Sequence, residues 1–273
     1  MPLVFAAAAV HAPGITARRE AATPEQRHIL FSAWDALRQQ LEAAQLDALV
    51  VVSSEHYTNF FLNNAPAFCI GLAERYDGPS EDEHFLKIPR VLVPGAAALS
   101  RAIISVVSDH VDIAHSQELL LDHGIMVPLH LLTPRMHLPV VPIIVNCQMP
   151  PLPPLPRCHA LGRALRMACN AREERIGVLA AGGLSHWPAV PESGKLNIEF
   201  DRAFVDDFLA NDSARMTSYS DEEIVASAGP GGREIRSWIV AAAAAGGKKG
   251  EVLCFEPIPA YAVTGCIATL VVG

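Results

Sequence analysis

Four short runs of almost wholly apolar residues, near positions 3–10, 47–53, 139–146 and 175–181, constrain the fold of this chain more than any other feature. They are rich in Val, Ile and Ala, are bounded by Gly, Pro or polar residues, and lack the polar alternate positions of a strand with one wet face. Strands of that kind are buried on both faces, which calls for helices above and below a largely parallel sheet. Helical patterns fill most of the intervals. The clearest covers about 24–44, where Thr23 and Gln26 read as a capping box, Pro24 suits the first turn, and Leu30, Trp34, Leu37 and Leu41 make one apolar stripe. Further helices are expected at 95–107, 157–172, 201–211, 220–228 and 232–245. The expected fold is therefore α/β: a single domain over residues 1–273 with a central mixed, largely parallel sheet flanked by helices on both faces.

A chain of 273 residues that is 51% hydrophobic and 18% charged has ample material for a packed core. Its net charge of -8, and the lack of any basic run longer than Lys248 and Lys249, argue against a nucleic-acid partner. The opening LVFAAAAVHA has no basic residue before it and is too short to span a membrane, so it reads as a buried strand, not a leader or an anchor. Cys69, Cys147, Cys158, Cys169, Cys254 and Cys266 form no CxxC pair and read as reduced, buried thiols of a cytoplasmic protein. MPPLPPLP at 149–156 must be extended, because proline can neither continue a helix nor donate to a ladder. The stretch from Ala73 to Pro94, with GPSEDEHF in it, reads as a long surface excursion lidding a pocket.

Chemistry is expected where strands give way to loops, since open α/β sheets gather their ligands there. Four histidines have that placement: His11 in VHAPG, His56 in SSEHYTNFF, His123 in LDHG and His186 in GGLSHWP. Any one of them alone is more often a loop residue satisfied by its neighbours. Together they suggest one site, with Glu234, in the first turn after Gly229, Gly231 and Gly232, as carboxylate. A glutamate there also suits the helix dipole, and Glu55 and Glu256 are rival ligands. Two histidines and one carboxylate on one face of Fe(II) leave room for a bidentate catecholate and dioxygen, whereas a closed zinc site would want thiolates at a spacing absent here. His123 and His186 are then left as proton carriers. Asp122 either orients a partner histidine or caps a helix starting at Ile125. Tyr57, Asn59 and Phe60 offer an aromatic wall with a polar handle, Gly183 permits close substrate approach, and Pro188 stiffens the exit.

The set VHAPG, SSEHYTNFF with PAFCIG, LDHG, GGLSHWP, GREIRSWIVAA and EPIPAY, in that order from His11 to Tyr261, resembles the class III extradiol ring-cleavage dioxygenases. This is the family of protocatechuate 4,5-dioxygenase catalytic subunits, gallate dioxygenases and 2,3-dihydroxyphenylpropionate dioxygenase. The resemblance implies that His11, His56 and Glu234 bind non-haem Fe(II), that His186 is the acid/base residue, and that His123 with Asp122 is a second proton-transfer group. It implies a catecholic substrate, O2 as co-substrate, and insertion of both oxygen atoms beside the diol. Lys87, Arg90 or Arg233 could meet a substrate carboxylate, although surface solvation is the more usual job of each. A homodimer or higher homo-oligomer is expected, with room for a small accessory subunit. Two other readings stay open: a non-catalytic metal-binding or interaction protein of the same fold, and a zinc hydrolase using the same ligands.

Overall fold

The computed structural model describes residues 3–273, save the side chain of Lys248; Met1 and Pro2 of the expected domain lie outside the described residues. The four apolar runs become β1 (Leu3–Ala9), β2 (Ala48–Ser54), β7 (Val140–Val145) and β8 (Ile176–Ala181). Between them fall β3 (Phe68–Gly71), β4 (Arg75–Gly78), β5 (Val91–Pro94) and β6 (Ala114–Ser116), and the chain closes with β9 (Gly246–Ile258) and β10 (Val263–Val272). One eight-stranded sheet runs β6-β3-β7-β2-β8-β1-β10-β9. Its centre, β7-β2-β8-β1, is parallel throughout, and antiparallel pairing enters only at β3 against β7 and at β1-β10-β9. The mixed, largely parallel sheet is as the apolar runs require.

Helices cover both faces. On one lie α4 (Ala97–Val107), α6 (Leu155–Asn170), α7 (Ile198–Ala210) and α10 (Ile235–Ala245), which bury Ile103, Leu161, Phe204, Phe208 and Trp238 against the sheet. On the other, α2 (Pro24–Ala43) and α5 (His123–Leu132) bury Leu30, Trp34, Leu37, Ile125 and Leu129. Burying a residue such as Leu37 completely contributes about 1.5–3 kcal/mol. The Thr23–Gln26 capping box forms as its spacing requires. Helix α10 is buried along its whole length, and its alanines let it lie close against α6; a Cβ on Gly162 would sit 2.2 Å from the Val240 carbonyl.

Several boundaries differ from the sequence expectation. Helix α6 begins at Leu155, two residues inside the proline run, because Pro156 falls in a first turn where a missing N–H costs nothing. Helix α7 begins at Ile198, where Asn197 caps it. The excursion from Ala73 to Pro94 is ordered: β4 and β5 pair in a small sheet of their own, α3 (Glu83–Leu86) lies between them in the chain, and Tyr76, Leu86, Ile88 and Val93 are buried. The C-terminal hairpin β9-β10 extends the sheet beyond β1. The remaining short helices are α1 (Gly14–Ala17), α8 (Ser213–Met216) and α9 (Asp221–Ala228). All six cysteines are free and buried, and burial pushes the thiols of Cys69, Cys158, Cys169 and Cys254 up to about 12. Among the described residues no helix is long and apolar enough to cross a membrane.

Candidate metal centre and active site

Strands β1, β8 and β2 are adjacent in the sheet and parallel, so the loops leaving their C-terminal ends share one rim. His11 follows β1, His56 follows β2, and His186 follows β8. The loop after β2 is shaped by Glu55, whose buried carboxylate accepts N–H bonds from Thr58 (2.5 Å), Asn59 (2.7 Å) and Phe60 (3.3 Å). Burial raises the Glu55 pKa against the pull of those bonds. Glu55 is thus committed to the loop. Glu256, the other rival, sits on the edge strand β9 opposite Gly265.

Glu234 ends a 3-10 turn (Pro230–Glu234) that leads directly into α10, a tighter entry than the α-helical first turn expected. The residue is 1% exposed. Oε2 lies 3.1 Å from His11 Nε2 and accepts the Gly183 N–H at 2.6 Å; Oε1 lies 3.3 Å from His56 Nε2 and accepts the Ser54 hydroxyl at 3.1 Å. Burial opposes ionisation of Glu234, but the charges of His11 and His186 and the bonds from His11 and His56 hold its pKa well below the usual carboxylate range. The far side of each imidazole is also engaged. His56 Nδ1 donates to Asp122 Oδ2 at 2.9 Å, and His11 Nδ1 is 3.4 Å from Ser53 Oγ. Burial lowers the His56 pKa, yet Asp122 and Glu234 together carry it well above normal; burial raises that of Asp122, and His56 draws it down to about 2. A buried carboxylate facing two imidazole nitrogens at this range needs positive charge between them, which a proton or a divalent cation supplies. Two imidazoles and a carboxylate converging, with the outer imidazole nitrogens held, fit a first-row divalent metal.

His123 joins the same cluster from another direction. Asp122 caps α5 by accepting the Gly124 N–H at 2.9 Å while its other oxygen holds His56, so both roles considered for it are filled at once. The helix begins at His123 itself, two residues earlier than expected. The His123 ring lies 4.1 Å from that of His56 and 5.5 Å from that of His11, and donor nitrogens of the three fall within 4.8 Å of one another. Two overlapping donor sets therefore share His11 and His56, with either Glu234 or His123 as the third group. His123 Nδ1 bonds Glu81 Oε1 at 2.5 Å. Nothing in the sequence singles out Glu81, one of three consecutive acids in GPSEDEHF.

His186 is held by backbone. Its Nδ1 donates to the Leu184 carbonyl at 2.9 Å, its N–H donates to the Ala228 carbonyl at 2.9 Å, and its own carbonyl accepts from Gly231 at 3.1 Å. That leaves Nε2, 3.9 Å from Glu234 Oε1, as the ring atom on the cluster side. A Cβ at Gly231 would come within 2.3 Å of the ring, so only glycine fits there without displacing it. Beneath this loop the fully buried Asp201 accepts from the backbone N–H and hydroxyl of Ser185, at 2.7 and 2.9 Å, and from the Thr264 hydroxyl.

The remaining candidates separate. Gly183 lines the cluster through its bond to Glu234. Asn59 is engaged elsewhere: its amide donates to the Leu120 carbonyl at 3.1 Å and accepts the Leu120 N–H at 2.8 Å, tying two loops together. Phe60 packs against the α2–α5 face of the core, Tyr57 is 48% exposed with φ at 60°, and Pro188 is exposed. Arg90 pairs with Asp77 and Arg233 with Asp221, both through two nitrogens; Lys87 lines a separate cavity of about 280 Å³ with Arg19, Phe31 and His130. A larger surface cleft of about 730 Å³, bordered by Arg38, Asp47 and Arg135, contains none of the cluster histidines.

Residues 6–268 match the family described as the catalytic LigB subunit of aromatic ring-opening dioxygenase, and the chain belongs to that family. Its enzymes are ring-opening dioxygenases of the extradiol class, as the ordered motifs implied. Among similar proteins, the 2,3-dihydroxyphenylpropionate/2,3-dihydroxicinnamic acid 1,2-dioxygenase of Photorhabdus laumondii is 28% identical over 264 residues, covering 80% of this chain and 81% of its own length. An enzyme of the same name from Pseudomonas putida, numbered 2, is 34% identical over 164 residues, covering 59% of this chain and half of its own. A crystal structure of an uncharacterized protein from Escherichia coli K12 superposes with a TM-score of 0.63 at 17% identity, over 88% of this chain and 91% of that one, which speaks to the fold alone.

Proposed function

We propose that the protein cleaves the ring of a catecholic acid, of the 2,3-dihydroxyphenyl type that its relatives' names specify, and inserts both atoms of O2 at an Fe(II) centre held by His11, His56 and Glu234. The observation that carries this reading is the convergence of His11 Nε2, His56 Nε2 and both Glu234 oxygens at 3.1–3.3 Å. Glu234 is favoured over His123 as third ligand because its ionised carboxylate offsets the charge of a dication, which a third neutral imidazole cannot do. Fe(II), when bound, supplies a template and Lewis acid that brings a deprotonated diol and dioxygen together.

The other residues manage protons and orientation. His186 has its Nδ1 proton fixed on the Leu184 carbonyl, so Nε2 is the atom that takes a proton from the diol and returns it to the product. His123, fixed through Nδ1 in the same manner, is the second proton carrier. Asp122 keeps the His56 proton on Nδ1 and leaves Nε2 directed at the metal position. The glycine at 183 keeps the wall beside Glu234 free of side chain.

Adding Fe(II) anaerobically to purified protein and then admitting O2 with a panel of catechols tests the reading. Uptake of one O2 per catechol with a yellow ring-opened product is expected, fastest for a 2,3-dihydroxyphenyl acid. Bound iron with no uptake for any catechol would overturn it, and metal analysis yielding only tightly held zinc would point to a hydrolase.

A further inference from the structure

Each imidazole of the cluster has its outer nitrogen engaged, and for His123 the partner arrives from the segment between the two small strands β4 and β5. Leu121 N–H donates to the Asp77 carbonyl at 2.9 Å and Ser80 N–H to the Leu121 carbonyl at 2.8 Å, so this segment is zipped to the residues directly before Asp122. The packing at that seam is tight: a Cβ on Gly78 would meet Leu121 at 2.9 Å. Glu81 follows at once. Its Oε1 accepts both the backbone N–H of His123, at 2.9 Å, and the ring Nδ1–H, at 2.5 Å. Its Oε2 accepts the Ser80 hydroxyl at 3.2 Å, and Ser80 Oγ lies 3.3 Å from Thr58 Oγ1 in the loop that carries His56. Both oxygens of the carboxylate are therefore anchored, one on His123 and one through Ser80 on the His56 loop.

From this geometry we infer that Glu81 is the positioning residue for His123. An ionised carboxylate only accepts, so the proton of a neutral His123 sits on Nδ1 and the lone pair on Nε2, the orientation a proton acceptor needs. A single side chain that binds both backbone and ring of His123 fixes χ1 and ring rotation together, which no hydrogen bond to the ring alone does. The segment from Ala73 to Pro94 is thus part of the reaction machinery, through one side chain. This inference rests on the proton role proposed for His123, and it makes the tautomer of that ring an observable separate from turnover.

The test uses the full-length enzyme with Glu81→Ala, Glu81→Gln and Glu81→Asp. The Ala and Gln variants are expected to lose about 10- to 100-fold in kcat, the range for removing the partner of a site imidazole, with KM, bound iron and Tm at wild-type levels and with Asp recovering part of the loss. In the protein loaded with diamagnetic Zn(II), nitrogen-15 correlation spectra are expected to place the His123 proton on Nδ1 in wild type and to lose that signal in Glu81→Ala, while the His56 Nδ1–H signal stays. Three results overturn the inference: kcat within twofold of wild type, a kcat loss that tracks loss of iron or Tm, or an unchanged His123 tautomer in Glu81→Ala. A wild-type enzyme without O2 uptake would instead defeat the reading of function, and the spectra would still decide the part of Glu81.

Discussion

The two halves of the site are held in place by different physics. On the side proposed to hold the metal, His11, His56, Glu234 and Asp122 are fixed to one another by charge, in carboxylate–imidazole contacts of 2.9–3.3 Å with no water-exposed carboxylate among them. On the side proposed to transfer protons, His186 is fixed by backbone hydrogen bonds and by the space that Gly231 leaves open. An ionic cluster holds a cation and resists small geometric insults, because opposite buried charges tolerate a few tenths of an ångström. A ring seated by steric fit leaves its Nε2 chemically unencumbered and free to exchange a proton, but depends on shape. Binding and proton transfer can in this way be lost separately.

Removing Glu234 should have the largest effect. Glu234→Ala removes the only carboxylate between the two imidazoles and leaves Asp122, on the far side of His56, as their sole counter-charge, so both bound iron and activity are expected to vanish, read by metal analysis after desalting and by O2 uptake. His186→Ala should lower kcat by about 10²- to 10⁴-fold, the usual worth of a positioned general acid/base, with iron content at the wild-type level. Loss of iron in His186→Ala, or retained iron and turnover in Glu234→Ala, would break the division between the halves.

Gly231→Ala probes the proton side by shape alone, since the new methyl would have to displace the His186 ring from 2.3 Å. Misplacement of a reacting group by about 1 Å costs about 10²-fold in rate, so a drop of that order in kcat is expected, with iron retained. A variant with wild-type kcat would mean that the His186 seat is softer than the packing implies.

Asp122→Asn makes the matching probe on the metal side. An amide can donate to His56 Nδ1 and so shift the ring proton toward Nε2, where it competes with the metal; iron affinity is expected to fall about 10- to 100-fold, measured by chelator competition. The acid limb of unfolding should change as well. The folded-state pKa of Asp122, about 2, lies below its ordinary 3.8, so the ionised form stabilises the fold above that ordinary value and the contribution is lost as pH falls from about 4 to 2. Asp122→Asn should therefore flatten the stability profile of the metal-free protein across that window, and an unchanged profile would show that the buried contact with His56 contributes nothing there.

How much of this was legible before folding follows from what each residue answers to. The parallel centre of the sheet was legible because strands buried on both faces have no polar positions, and ALVVV or VVPIIV can hardly be placed otherwise. The end strands were not: β9 is partly exposed along most of its length, with only Cys254 and Ile258 buried between Glu251 and Ile258, and glycines open it, so neither periodicity nor composition marks it as a strand. The histidines stood out because imidazole at strand ends is uncommon. Glu81 did not, since a carboxylate among acidic neighbours is ordinary until the β4–β5 segment folds back on Leu121. Asn59 looked like a substrate handle for the opposite reason: its proximity to His56 in sequence is real, but its amide is consumed by Leu120.

The smallest expected effect sharpens the comparison from outside the cluster. Arg90, an early candidate for meeting a substrate carboxylate, is tied by Nε and by an outer nitrogen to both oxygens of Asp77, and that pair stands in solvent where ion pairs are weak. To bind substrate it would have to abandon a bidentate partner already in place. Arg90→Ala is therefore expected to leave kcat and KM unchanged for catechols with and without a carboxylate, measured side by side by O2 uptake. A rise in KM confined to the carboxylated catechols would show that Arg90 does leave Asp77 for the substrate, and that the segment carrying Glu81 selects the substrate as well as seating His123.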